Sequence, residues 1–261
     1  MIRINMKRKI KYFFYNLARA LGARYILQQL NKSLRSLCSL THSAQYFIEW
    51  KAPPNPEWFD HFIGQYYLWK KTGIPLSWER EVFNLLAMKP HAKVLELCCG
   101  DGFNAHHFYA IRASDITSMD FDPKAIDAAH RNFGGNGVKY KLGDIRKDIP
   151  MESFDNIIWD AAIEHFTEDE IANVLATLKD RLGLCGVLSG YTIVERDDGK
   201  SHHDHEYEFK SKEDLLRFLT PHFKRVRVFE TIYPDTHNLY FFASNGSKLP
   251  FDNDWTFQTS S

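Results

Sequence analysis

The sequence predicts an α/β fold in which a mostly parallel sheet carries helices on both faces. Short apolar runs alternate with helical patterns as far as residue 223, as expected for parallel strands joined by crossover helices. Two strand patterns then follow each other directly, so the last strand is predicted to be antiparallel. Glycines at positions 186 and 190 are expected to break the fifth strand. The seven predicted strands cover residues 93–97, 116–119, 138–142, 154–159, 185–194, 226–232 and 239–243.

A glycine-containing turn follows the first predicted strand. Residues 98–102 read Cys-Cys-Gly-Asp-Gly, and a helical segment comes next. Glycines at 100 and 102 allow a left-handed backbone and bring backbone N–H groups close to a ligand. The helix that follows directs its positive end towards the same crevice. The pattern predicts a ligand-binding turn at this point in the sheet.

Acidic residues stand at the ends of the first three strands. Glu96 lies at the end of the first strand, Asp120 ends the second, and Asp144 follows the third. Open parallel sheets bind ligands at this edge, so the three carboxylates are predicted to face one site. A dinucleotide fingerprint would have glycines at 98 and 103, where this chain has Cys98 and Phe103. That difference favours S-adenosylmethionine over a dinucleotide.

The chain divides into three predicted parts: a basic amphipathic helical extension at 1–56, a main domain at 57–244 and a flexible tail at 245–261. Residues 1–48 contain nine Lys or Arg and no Asp or Glu, which leaves 24 basic against 33 acidic residues elsewhere. A helix is predicted from Ile10 to Leu34. It is interpreted as a helix packed on the main domain, as one lying on an anionic membrane, or as a transit peptide.

Composition restricts the cellular setting and the partners. The whole chain has 33 basic and 33 acidic residues, so no overall field favours nucleic acid. Four cysteines without metal spacing or a disulfide framework predict a reducing, cytoplasmic location. No apolar run is long enough to span a membrane, and Arg19 and Arg24 interrupt any signal-peptide core. Membrane association through the basic helix stays open.

Four motifs in order resemble those of class I S-adenosylmethionine-dependent methyltransferases. They are Val94–Gly102, Met119–Pro123, Gly143–Ile145 and Ile163–Phe166, within a resemblance that runs from about residue 78 to residue 244. The resemblance implies a Rossmann-like, seven-stranded sheet and S-adenosyl-L-methionine as the cofactor. It also implies that the cofactor-binding residues are Glu96, Gly100, Gly102, Asp120, Phe121, Asp144, Ile145 and Asp160.

The resemblance also assigns individual roles. Glu96 would hold the amino group of the cofactor, and Asp120 would accept hydrogen bonds from both ribose hydroxyls. Asp144 would receive the adenine amino group, while Ile145 would offer its backbone N–H. A carboxylate suits two neighbouring hydroxyl donors better than an amide does. Cys98 departs from the pattern, because this position is commonly glycine.

Two groups of histidines are candidates for catalysis. Methyl transfer mainly requires alignment and exclusion of water, and a base is useful only when the acceptor is a hydroxyl. His165 follows the fourth strand, and residues 202–205 read His-His-Asp-His after the fifth. The latter run is interpreted as a substrate-binding loop, a metal site or a solvated loop. Contiguous residues rarely point the same way, so no metal is predicted, and His205 is the favoured residue for reaching substrate.

The predicted function is methyl transfer to a small polar acceptor through a hydroxyl, with a sugar or glycan precursor as the candidate. Residues 160–163 read Asp-Ala-Ala-Ile rather than an Asn-Pro-Pro-Tyr type motif, which disfavours amino-methylation of DNA bases or glutamine. No basic stripe crosses the main domain, which argues against a nucleic-acid substrate. The alternative is a catalytically silent relative that serves as a binding or interaction module.

Overall fold

The structure is a computed structural model that describes residues 2–51, 61–135, 137–197, 199, 202, 204–234, 236–246 and 248–252. The chain forms two compact units, Met1–Lys71 and Thr72–Ser261. The predicted boundary between residues 56 and 57 lies outside the described residues.

The first unit is helical where it is described. Helix α1 covers Ile2–Ala20 and helix α2 covers Ala23–Lys51, while helix α3, His61–Thr72, ends one residue into the second unit. The prediction of a single helix from Ile10 to Leu34 is therefore wrong, because a turn separates α1 from α2. Gly22 there has a φ of 71°, the left-handed conformation that commonly ends a helix. None of the described helices combines the length and apolarity needed to cross a membrane.

The second unit is a seven-stranded sheet with helices packed on it. The first four strands cover Ala92–Leu97 (β1), Ala113–Asp120 (β2), Val138–Leu142 (β3) and Phe154–Asp160 (β4). The remaining strands are Leu182–Ile193 (β5), Arg225–Tyr233 (β6) and Thr236–Ser244 (β7). The helices are Leu76–Ala87 (α4), Phe103–His107 (α5), Pro123–Phe133 (α6), Glu168–Arg181 (α7) and Lys212–Leu219 (α8), with short 3-10 turns at Tyr109–Ile111 and Ile163–His165.

The strand order is β3-β2-β1-β4-β5-β7-β6. Strands β1 to β5 pair in parallel, and β7 pairs antiparallel with both β5 and β6. This arrangement confirms the predicted Rossmann-like sheet and its antiparallel last strand, which lies between β5 and β6. Because the first five strands are parallel, the residues that follow β1, β2, β3 and β4 meet at one edge.

The core lies on both faces of this sheet. Neighbouring residues of a strand point to opposite faces, so Val94 and Ile158 belong to one apolar cluster while Leu95 and Ile157 belong to the other. All four side chains are fully buried. Strands covered on both faces read as continuous apolar runs, which is why the sequence pattern identified them.

Strand β5 is continuous, contrary to the expectation that its glycines would break it. Gly190 pairs with Trp159 of β4 on one side and with Phe241 of β7 on the other. A Cβ atom at position 190 would lie 2.0 Å from the carbonyl oxygen of Trp159 and 2.4 Å from Cζ of Phe241. The glycine therefore allows close packing within the strand rather than ending it.

Residues 248–252, within the predicted tail, pack against the sheet, and the flexibility of the tail stays a prediction. Leu249 is buried, and the ring of Phe251 packs edge-on against Phe83 and Phe229. Arg227 also pairs with Asp252 at 2.6 Å. Two apolar side chains and one ion pair attach this segment to the sheet, although the surrounding sequence is polar. Residues 253–261 lie outside the described chain.

Replacing Gly190 with Ala is expected to lower the free energy of unfolding by at least about 2 kcal/mol, because the added methyl group overlaps backbone and ring atoms in a packed sheet. Urea unfolding followed by circular dichroism measures the change. Gly183→Ala is the matched control in the same strand, since a Cβ there makes only an ordinary contact of 3.4 Å. Equal stability of the two variants would contradict this account of Gly190.

Candidate active site

The turn after β1 is held in a left-handed conformation at three positions. Cys98, Gly100 and Gly102 have φ angles of 56°, 53° and 79°. A residue with a Cβ atom is disfavoured there, which explains why glycine is common at the position of Cys98 in the resembling family. Burial raises the pKa of the Cys98 thiol well above its ordinary value, so the side chain stays protonated.

Gly102 is also restricted by its surroundings. It precedes the first residue of α5, and a Cβ atom built on it would lie 2.5 Å from a ring carbon of Tyr140 on β3. The Tyr140 hydroxyl donates to the carbonyl oxygen of Gly102 at 3.3 Å. The third strand therefore contacts the turn directly and leaves no room for a side chain at this position.

Asp120 links the end of β2 to the same turn. Its carboxylate accepts a hydrogen bond from the Gly100 N–H at 3.0 Å and another from the Asp122 N–H at 2.9 Å. Each carboxylate oxygen keeps a lone pair after these bonds, so two hydroxyl donors can still be accommodated. Burial raises the pKa of Asp120, and the two backbone bonds oppose that rise. The structure thus brings Asp120 and Gly100 together, as the strand order predicted.

Glu96 is buried at the end of β1. The Ser118 hydroxyl of the neighbouring strand donates to its carboxylate at 2.6 Å. Burial raises the pKa of Glu96 to about 8, and the nearby carboxylates of Asp160 and Glu81 add to that rise. A cation that reaches this carboxylate would relieve the cost of ionising it.

Helix α4 contributes polar residues that the sequence analysis missed. Glu81 and Asn84 are buried on the face of α4 that also carries Leu85. Burial raises the pKa of Glu81 to about 8, with Arg80 opposing the shift and Asp160 adding to it. Oε2 of Glu81 is buried and has no hydrogen-bond partner among the described residues. An acid at an apolar-face position of an amphipathic helix was the signal available in the sequence.

Asp160 at the end of β4 is held by the same helix. Arg80 donates from Nε and Nη2 to one carboxylate oxygen at 3.0 and 2.5 Å, and Asn84 donates to the other at 3.1 Å. The Arg80 guanidinium also lies over the ring of Tyr191, 4.8 Å from its centroid. The side chain of Asp160 is therefore anchored to α4, and its contact with the cofactor stays a prediction.

The other predicted cofactor contacts lie along the same edge. Asp144 is paired with Arg146, whose Nη2 lies 2.8 Å from a carboxylate oxygen, and hydrogen bonds from Arg146 lower the pKa of Asp144. Ile145 is buried, while Phe121 is 71% exposed and presents an open aromatic ring beside Asp120. These residues follow β2 and β3, and their contacts with adenosine stay predictions.

The two candidate catalytic histidines meet after β4 and β5. The rings of His165 and His205 are 4.8 Å apart between centroids and nearly perpendicular. Nδ1 of His165 lies 3.1 Å from the carbonyl oxygen of Asp204, and Nδ1 of His205 is hydrogen-bonded to the carboxylate of Glu208. Glu164, beside His165, is buried and its pKa is raised by that burial. His203 of the sequence cluster lies outside the described residues.

The residues at this edge fit a cationic nucleoside. Glu81 and Glu96 are buried acids, and the guanidinium of Arg80, which precedes Glu81 in the chain, is bound to Asp160. S-Adenosylmethionine carries an ammonium and a sulfonium group, and buried carboxylates favour such charges. The left-handed turn at Gly100 and Gly102 lets the main chain approach a ligand closely.

The fold, the glycine turn and the acids at the strand ends are similar to those of class I S-adenosylmethionine-dependent methyltransferase domains, which use S-adenosylmethionine as their cofactor. The family described as "Methyltransferase domain" matches residues 94–184 of the chain, which contain β1 to β4 and the turn after β1.

Known proteins resemble this chain in sequence and in fold. A ribosomal protein L11 methyltransferase from Erwinia tasmaniensis is 30% identical over 102 residues, which are 37% of this chain and 34% of that protein. The chain spans about a third of the length of the curated relatives it matches. The DhpI–SAH complex has a TM-score of 0.55 at 19% identity, covering 83% of this chain and 97% of that one.

A second solved structure shares the fold. The N-methyltransferase NodS from Bradyrhizobium japonicum has a TM-score of 0.55 at 19% identity, covering 66% of this chain and 98% of NodS. NodS has also been solved in complex with S-adenosyl-L-homocysteine. At these identities, the likeness to DhpI and NodS establishes the fold of this chain.

Replacing Glu96 with Gln is expected to flatten the pH dependence of stability. The pKa of Glu96 is about 8 in the folded chain against an ordinary value of 4.5. Its contribution to stability is complete below pH 4.5 and is lost as the pH rises to about 8, because the unfolded state ionises first. The free energy of unfolding, measured with urea at several pH values without cofactor, should therefore fall more steeply in the parent chain. Parallel curves for the parent chain and the variant would contradict the shift, and exposed Asp127→Asn is the control.

Proposed function

We propose that this chain transfers a methyl group from S-adenosylmethionine to the hydroxyl of a small polar acceptor. The observation that supports the proposal is the pair of imidazoles, His165 and His205, which meet beyond the ends of β4 and β5. Methyl transfer needs alignment of the nucleophile and exclusion of water, whereas a hydroxyl acceptor must also lose its proton. The imidazole pair promotes that loss.

The orientation of each ring supports this role. A backbone carbonyl can only accept a hydrogen bond, so Nδ1 of His165 carries a proton and its Nε2 keeps a lone pair when the ring is neutral. The carboxylate of Glu208 orients His205 in the same way through Nδ1. In each ring Nδ1 makes the orienting contact, so Nε2 is the nitrogen that would take part in deprotonation, a step that a neutral amine acceptor would not require.

The acceptor class is part of the proposal. A sugar hydroxyl, as in a glycan precursor, suits the polar imidazole and carboxylate groups around His165 and His205. The names of two similar proteins point elsewhere, because one is a methyltransferase of ribosomal protein L11 and NodS is an N-methyltransferase. A substrate screen that includes both classes decides between them.

The proposed reaction predicts release of S-adenosylhomocysteine when the chain is incubated with S-adenosylmethionine and a hydroxyl acceptor. Sugars, phenols and amines form the panel, with product measured by mass spectrometry. His205→Ala should lower kcat by about 100-fold or more while the affinity for S-adenosylhomocysteine is unchanged. His237→Ala is the matched control, because His237 also pairs with a carboxylate, that of Glu230.

The Asp120→Ala variant tests the cofactor site. It should weaken S-adenosylhomocysteine binding in calorimetry, whereas Asp115→Ala, at the other end of β2, should not. Methylation of amines alone, unaffected by His205→Ala, would contradict the hydroxyl proposal. Cofactor binding without turnover on any acceptor would favour the silent interaction module.

We also propose that the first unit contacts an anionic membrane surface. The exposed cations of α1 and α2 include Lys9, Lys11, Arg19, Lys32 and Arg35, and no acid occurs before residue 49. Helices that combine apolar and cationic faces lie in the membrane interface, and each cation near anionic lipid adds about 1 kcal/mol. The large apolar side chains exposed on this unit include Ile10, Phe13, Phe14, Leu17, Leu21, Ile26, Leu27, Leu30, Leu34 and Leu37.

The full chain is expected to sediment with phosphatidylcholine vesicles that contain phosphatidylserine, but not with phosphatidylcholine alone. Replacing Phe13 and Phe14 together with Ser should release the chain, because both rings are exposed, at 64% and 61%. Ile232→Ser in the second unit, 72% exposed, is the control. Vesicle binding that persists after the double replacement, or that does not depend on lipid charge, would contradict the proposed membrane contact.

A further inference from the structure

Three potential metal ligands converge beyond the ends of β4 and β5. Glu164, His165 and His205 each offer one ligand atom, and these atoms all lie within 4.8 Å of one another. Two of the ligands belong to the 3-10 turn Ile163–His165, and the third comes from the loop that follows β5. The set therefore differs from the contiguous run 202–205, and among the described residues of that run only His205 contributes.

Backbone hydrogen bonds hold the two segments together. The N–H groups of Glu206 and Tyr207 both donate to the carbonyl oxygen of Glu164, at 2.9 and 3.1 Å. The Thr192 hydroxyl of β5 donates to the Glu164 carboxylate at 3.0 Å and orients it. The cluster is thus organised by the main chain and by a neighbouring strand, so its ligands need little rearrangement to receive an ion.

The outer contacts of the two imidazoles match those of metal-bound histidines. Such histidines usually donate their second ring N–H to a carboxylate or a backbone carbonyl. His165 donates from Nδ1 to the Asp204 carbonyl oxygen at 3.1 Å, and His205 is bonded through Nδ1 to Glu208, whose side chain is fully buried. Because Nδ1 makes the outer contact in both rings, Nε2 is the ring nitrogen that each histidine would offer to an ion.

We propose that Glu164, His165 and His205 bind one divalent transition-metal ion, through a carboxylate oxygen and two Nε2 atoms. Imidazole and carboxylate ligands suit zinc and its neighbours in the first transition row. Three protein ligands leave a coordination position open, which is typical of catalytic rather than structural metal sites. That open position is available to an oxygen atom of the acceptor.

The metal site extends the proposed function. The role of the ion in the reaction rests on that proposed function, whereas the binding of the ion does not. A bound hydroxyl would lose its proton to water more readily, because the ion lowers the pKa of an oxygen ligand. The oxygen then forms a bond to the methyl carbon while the carbon–sulfur bond breaks. The electron pair of that bond stays on sulfur, which leaves neutral S-adenosylhomocysteine. The imidazoles promote deprotonation by holding the ion, and neither needs to take up the proton.

Metal binding is tested on the full chain without a histidine tag, after removal of metals with a chelator. Cys185→Ser serves as the background, because an exposed thiol would also bind zinc. Calorimetric titration with Zn²⁺ should give one ion per chain, and Co²⁺ should give visible absorption bands typical of nitrogen and oxygen ligands. S-Adenosylhomocysteine affinity is measured on every variant to establish that the domain is folded.

His165→Ala and His205→Ala are each expected to lower Zn²⁺ affinity by at least about 10-fold, and Glu208→Gln by about 10- to 100-fold through loss of the outer contact. His237→Ala should have no effect, although His237 also bonds a carboxylate. Absence of Zn²⁺ binding by the parent chain, or binding that survives loss of both imidazoles, would overturn the site. Turnover without bound metal would contradict the role of the ion and support the proposed methyl transfer. Tight metal binding without turnover would support the metal site and contradict the proposed methyl transfer.

Discussion

Excess buried negative charge at the carboxyl edge of the sheet is the constraint on which the site depends. Glu81, Glu96 and Asp160 lie close together, and the Arg80 guanidinium is bound to Asp160. Burying ionised carboxylates without cations is costly, so Glu81 and Glu96 keep their protons until a positive ligand arrives. The same burial that completes the core beneath the sheet thus prepares its edge for a sulfonium and an ammonium group.

The strands and the principal acids were predictable because their signals are local. Strands β1, β4 and β5 are rich in buried apolar residues, and Glu96 and Asp120 stand at strand ends where ligands bind. Gly22 was an available stop signal that the helical pattern outweighed. Gly190 was misinterpreted because a glycine that breaks a strand and one that permits close packing look the same in sequence.

The rest of the site depends on tertiary contacts that no local pattern contains. Arg80 and Asn84 are far from Asp160 in the sequence. Only the packing of α4 on the sheet brings them into contact. His165 and His205 come from separate loops, and their approach depends on backbone bonds to the Glu164 carbonyl oxygen. The sequence could suggest each imidazole alone but not the pair or its tautomers.

Tyr140 and Gly102 have a consequence for how this domain can evolve. The ring occupies the space that a side chain at position 102 would need, and its hydroxyl is bonded to the main chain of that residue. A side chain at position 102 would meet both this ring and a left-handed backbone, so a smaller residue on the third strand would remove only one of the two obstacles. Position 102 is therefore expected to stay glycine whatever residue stands at position 140, 38 residues away.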